Sequence, residues 1–156
     1  MKEYALQLEI QKDLDTLSDL VGYPITGHVY PGGGHTEAAE QYLREKGILY
    51  GRSVLGKSSF YFPENPYRYV PTIWFGAKDI FEQLDTFVHT EADEQNMLFC
   101  VWGHGHELDF GTETCNWNYM EKLLKTAAEK SNLTFCTLSE AFQGNLQNYE
   151  QINCIQ

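Results

Sequence analysis

The sequence predicts an α/β fold in which short strands alternate with helices and pair in parallel. Four runs rich in β-branched or aromatic residues are separated by segments whose apolar residues recur at helical spacing. One of these runs, "MLFCVWG" at 97–103, is almost continuously apolar, which suits a strand covered on both faces. At 156 residues, with 42% apolar and 14% aromatic content, the chain has enough material for one domain with a core of ordinary density.

Each element follows from local chemistry. Leu6, Ile10, Leu14, Leu17 and Val21 fall on one face of a first helix, and Gly22 is its stop. "ITGHVY" is a strand that runs into the loop "PGGG". Thr36 caps a helix reaching about Lys46, with Gly47 just beyond. "ILYGRSV" is the second strand; "SSFYFPENPYRYVPTIWFG" is a long aromatic loop with a short extended piece. Ile80, Phe81, Leu84, Phe87 and Val88 mark the next helix, ahead of the strand at 97–103. Asn116 caps a helix through about Lys130, "LTFC" is the fourth strand, and Thr137 with Glu140 forms a capping box for a short last helix. The tail from Gln143 is polar. Four strands are too few to close a barrel, so an edge is left to be covered.

A formal charge of −11, with scattered lysines and arginines, argues against nucleic acid as a partner. The opening "MKEYALQLEIQKDLDTL" has no continuous apolar stretch, so neither a secretory signal nor a membrane anchor is expected, and the expected location is the cytoplasm. Cys100, Cys115, Cys136 and Cys154 lack metal-ligand spacing and are expected to be reduced, mostly buried thiols. Residues 51–58, "GRSVLGKS", fit the phosphate-loop pattern, but "SFYFPENPY" follows where that pattern needs a helix. An extended loop is expected there instead.

Two places can carry chemistry. In "GHVYPGGGHT", Pro31 and then Gly32, Gly33 and Gly34 leave backbone donors open between a strand and a helix start, which suits a developing oxyanion; three glycines also make a plain tight turn. In "FCVWGHGHELDF", His104 and His106 stand at the carboxyl end of the third strand, where parallel sheets place ligands. They face the same side if the strand persists that far. An imidazole there serves as metal ligand or general acid, with Glu107 and Asp109 to orient it, or the cluster is a hydrogen-bonded polar cap. His28, His35 and His89 fit surface or capping roles. Trp74 and Phe75 suit either stacking on a sugar ring or core packing, and Asn116-Trp117 a helix cap with a buried aromatic.

Together these pieces resemble the polysaccharide deacetylase family, carbohydrate esterase family 4, over nearly the whole chain. "GHVYPGGG" resembles the family's third motif, a strand running into Pro-Tyr-Gly. "YGRSV…SFYFPENP" and "VPTIWFGAKD" resemble the middle of one bacterial branch, and "LFCVWGHGHELDF…NWNYMEKLL" its final motif, often "WGHSYEFD" and "NWE". The resemblance implies a partial (β/α) barrel lacking the N-terminal strands, and hydrolysis of the N-acetyl amide of an amino sugar polymer by metal-activated water. It implies catalytic positions at His104 (general acid), Gly32 (oxyanion N–H) and Tyr30, and substrate contacts at Trp74, Trp102, Glu107 and Asp109. The proline-glycine bend and the two-histidine strand end are expected to face one sugar-sized hollow.

The departures matter as much. The family's Thr-Phe-Asp-Asp-Gly strand and its His-x-x-x-His pair do not occur in the sequence, Gly32 replaces the motif tyrosine, and His106 replaces another. Trp74 and Phe75 stand where the branch has a histidine pair. The resemblance therefore implies a C-terminal portion of such a domain. Zinc or another divalent metal belongs to the intact family domain, and none is expected in this chain alone, with His104 and His106 the weak candidate ligands. The expected partner is an N-acetylated oligo- or polysaccharide. Self-association or a separate N-terminal half is the expected protein partner, and no deacetylase activity is expected alone. A non-catalytic carbohydrate-binding or scaffold protein is the alternative.

Overall fold

The computed structural model describes residues 3–91 and 96–147. It is a mixed α/β fold with two small parallel sheets. The chain divides into two compact units, Met1–Gly56 with Pro63–Val70, and Lys57–Phe62 with Pro71–Gln156.

In the first unit, helix α1 (Glu3–Val21) ends at Gly22, whose φ of 79° only glycine adopts without strain. Ile10 and Leu14 of the predicted face are buried, while Leu17 and Val21 are exposed, so α1 is held through its middle. Strand β1 (Gly27–Val29) pairs in parallel with β2 (Tyr50–Arg52), His28 opposite Gly51. The glycines admit rings: a Cβ on Gly27 would strike Tyr50, and one on Gly51 would meet the Tyr30 hydroxyl at 2.5 Å. Tyr69 adds a third parallel rung beside Arg52, its N–H donating to the Gly51 carbonyl at 3.0 Å. Helix α2 (Glu37–Glu45) starts as expected at Thr36, whose Oγ1 accepts the Ala39 N–H at 3.2 Å. It buries Leu43 completely, a contribution of about 1.5–3 kcal/mol.

In the second unit, β3 (Ile73–Trp74) pairs in parallel with β4 (Val101–Trp102). Helices α3 (Ile80–His89) and α4 (Trp117–Ala128) pack Ile80, Leu84, Phe87 and Leu123 around Phe99. Asn116 caps α4 by accepting the Tyr119 N–H at 2.8 Å. The Thr137 N–H donates to Glu140 Oε2 at 2.7 Å, and the Glu140 N–H to Thr137 Oγ1 at 3.2 Å, completing the predicted capping box of α5 (Leu138–Gln147).

Four expectations change. Trp117, expected to be buried behind the Asn116 cap, is exposed. "LTFC" forms no strand: 133–136 have no ladder partner, and Phe135 is exposed rather than covered. Gln143 lies inside α5 instead of opening the polar tail. Cys100 and Cys115 are buried thiols outside any disulfide, as expected, but Cys136 takes part in a disulfide; Cys154 lies outside the described residues. Residues 53–65 contain no helix, in agreement with the loop expected after "GRSVLGKS". Among the described residues no helix is long and apolar enough to cross a membrane.

Candidate functional site

The second unit positions the two-histidine segment. Phe75 lies on Gly103, where any Cβ would strike its ring, so the chain can leave β4 close against the core only with glycine at this point. The strand ends at Trp102, and His104 is the last extended residue before a 3₁₀ turn over Gly105–Phe110. Strand alternation therefore does not reach His106. The turn nonetheless sets the two imidazoles 5.5 Å apart, with Trp102 edge-on to His104 at 6.2 Å and Phe110 edge-on to His106 at 5.7 Å. Both histidines are exposed.

Glu107 organises this segment. Its Oε2 accepts the His104 N–H at 2.9 Å and the Trp74 indole N–H at 3.0 Å, and its Oε1 lies 3.5 Å from His104 Nδ1. The His104 amide first, then the Trp74 indole, hold its carboxyl below the usual range; burial opposes them, and the His104 ring adds a lesser lowering. A carboxylate fixed in this way can hold an imidazole in one orientation for proton transfer. Beside His104 lies a hollow of about 150 Å³ between Phe75, Trp102, Leu108 and Met120. Asp109 is turned elsewhere, accepting the Trp117 indole N–H at 2.9 Å.

The donors present do not fit a zinc ion. Zinc needs at least three protein ligands in a catalytic site, and among the described residues no group of three His, Cys, Asp or Glu is placed to hold a metal. His104 and His106 supply two, and the nearest carboxylate, Glu107, is committed to Trp74 and the His104 amide.

The glycine loop belongs to the first unit, and His104 to the second. Pro31–Gly33 form a single 3₁₀ turn closed by the Gly33 N–H on the Tyr30 carbonyl at 2.8 Å. Gly32 (φ 65°) and Gly33 (φ 78°) are left-handed, and Gly32 is exposed with open space where a Cβ would stand. Tyr30 lies beneath the loop, 4% exposed, and donates its hydroxyl to the Tyr67 carbonyl at 3.0 Å. Burial, with the charge of Glu40 and the neighbouring Tyr67, pushes its phenol far up, so the hydroxyl stays protonated. His28 and His35 flank that ring at 5.1 and 5.2 Å.

Sequence reasoning missed a buried polar network here. Glu40, 6% exposed, accepts the Arg68 Nε–H at 2.8 Å and an Asn65 amide N–H at 2.9 Å, with His35 Nε2 at 3.5 Å. Burial pushes its carboxyl up, but these hydrogen bonds and the charges of Arg68 and His35 outweigh it and hold it below the usual range. The available signal was an acid placed three residues before Leu43, on the apolar stripe of α2. His89 sits exposed at the end of α3, beside Asp85 at 3.5 Å.

Compared with protein-family models, curated proteins and solved structures, the chain matches none.

Proposed function

We propose that this chain is a polysaccharide deacetylase-like protein, a partial (β/α) barrel that engages the N-acetyl group of an amino sugar polymer without hydrolysing it by itself. The observation that carries this reading is the end of β4. There a Glu107-held imidazole, His104, borders an apolar hollow of about 150 Å³, a size suited to an acetyl group rather than a whole sugar ring. His104 is then placed to donate a proton to a leaving amine, and Glu107 keeps its ring oriented. The expected inactivity is supported by the donor set: among the described residues no third ligand joins the two histidines, and a water without a fixed metal is not activated to attack the amide.

The row Trp102, His104, His106 and Phe110 favours the second reading, a non-catalytic carbohydrate-binding protein, because three exposed rings beside a half-buried Trp102 offer stacking surface to a sugar. Titration of the purified chain with chitooligosaccharides, with acetate measured in parallel, separates these cases. Binding weakened by His104→Ala, without acetate release, supports the proposal. Chelator-sensitive acetate release overturns the inactivity, and absence of binding overturns the carbohydrate reading altogether. We further propose that the metal apparatus, where it acts, comes from a second polypeptide; a stable monomer in light scattering at all concentrations counts against self-association.

A further inference from the structure

We propose that the first unit holds a binding site for a small primary amine, in the cavity that helix α1 forms with the glycine loop. The cavity is about 310 Å³, at the lower end of the range of about 300–1,000 Å³ common for small-molecule sites. It does not involve His104: no residue of the second unit among the described residues lines it, although Tyr30 and the glycine loop, which the deacetylase resemblance also names, belong to its wall.

Its chemistry is set by three groups of residues. Leu6, Ile10 and Ala39 supply an apolar wall. Tyr30, buried with its hydroxyl on the Tyr67 carbonyl, lines the floor, with the His28 ring edge-on at 5.1 Å and the His35 ring tilted at 5.2 Å. Glu9 and Asp13, one helical turn apart on α1, place two carboxylates at the rim, and among the described residues no lysine or arginine lines the cavity.

A negative rim repels phosphates and carboxylates and attracts a cation, and an aromatic floor favours an organic cation over a hydrated ion. Burial lowers the His28 imidazole, with Asp13 only partly opposing, so at neutral pH it accepts a hydrogen bond from an ammonium. His35 Nδ1 is buried without a hydrogen-bond partner, and its ring borders the cavity. An ammonium matches the acceptors present: the rim carboxylates, the His28 ring nitrogen and His35 Nδ1.

The test is an NMR titration of the full chain with phenethylamine, and with 2-phenylethanol as its uncharged counterpart. The expected result is saturable binding of the amine that moves the ring protons of His28 and His35, with the alcohol binding about tenfold more weakly or not at all. The exposed rim variant Glu9→Gln/Asp13→Asn should weaken the amine about tenfold. Gly34→Leu should abolish binding by filling the mouth: Gly34 lines the cavity, has an ordinary φ of −74°, and has nothing within 4 Å of an added Cβ. Equal binding of amine and alcohol, amine binding that survives Gly34→Leu, unaltered affinity in the rim variant, or no saturable binding would each overturn the proposal.

Discussion

Trp74 donates its indole N–H to Glu107 at 3.0 Å, tying strand β3 to the turn that follows its partner strand. The same carboxylate oxygen takes the His104 amide, so loss of Glu107 frees an indole and a main-chain donor together. Glu107→Ala should lower the unfolding midpoint more than Glu107→Gln, which keeps one acceptor. Faster hydrogen exchange of the Trp74 indole in the alanine variant would confirm the link; unchanged exchange would break it.

Gly103→Ala drives a methyl into the Phe75 ring, and Gly51→Ala drives one into Tyr30. Each should cost about 1–3 kcal/mol in urea denaturation, because the added methyl overlaps the ring and forces it out of its packed position. A cost below experimental error at Gly103 would mean that Phe75 does not rest on the strand end.

Gly32 and Gly34 test backbone conformation alone, since a Cβ meets nothing at either position. Gly32→Ala should cost about 1–2 kcal/mol for the left-handed residue at φ 65°, and Gly34→Ala close to nothing at φ −74°. Equal effects would contradict the turn geometry.

Tyr30→Phe removes the donor to the Tyr67 carbonyl and should destabilise the first unit by about 1 kcal/mol. If Tyr30 acts only through packing, chitooligosaccharide affinity stays unchanged in this variant. A loss of affinity at unchanged stability would give its phenol a direct part in binding.

Stability should fall in two stages on acidification. His28 has its folded value below 6.5, so the unfolded chain takes up the proton first and stability declines as pH drops through 6.5. Glu40 has its folded value below 4.5; its contribution is full above 4.5 and is lost as pH falls further, toward the folded value. Urea midpoints measured against pH should lose the first stage in His28→Gln and the second in Glu40→Gln. At neutral pH Glu40→Ala should cost about 1–2 kcal/mol through the unpaired Asn65 amide and the lost buried contacts.

Helix limits were legible because their signals are local: Thr36, Asn116 and the Thr137–Glu140 pair cap helices through atoms at most three residues away. Strand lengths were not. Pairing depends on a neighbour distant in the chain, so "LTFC" has strand composition but no ladder, while "MLFCVWG" is reduced to the two-residue strand Val101–Trp102 and an isolated antiparallel bridge from Met97 to Tyr61. His104 and His106 drew attention from their spacing alone, yet it is the 3₁₀ turn, not a strand, that brings their rings together.

By itself the sequence determined the alternation of helices and parallel strands, the helix caps, the glycine turns and the residues capable of chemistry, since periodicity, φ preference and side-chain type are properties of short segments. Only the tertiary structure decided which partners those residues meet: Glu107 with Trp74, Glu40 with Arg68 and Asn65, and Glu9 and Asp13 with Tyr30 around one cavity. Hydrogen bonds and cavities form between side chains separated by tens of residues, and a one-dimensional order does not encode which of them become neighbours once the apolar faces are buried.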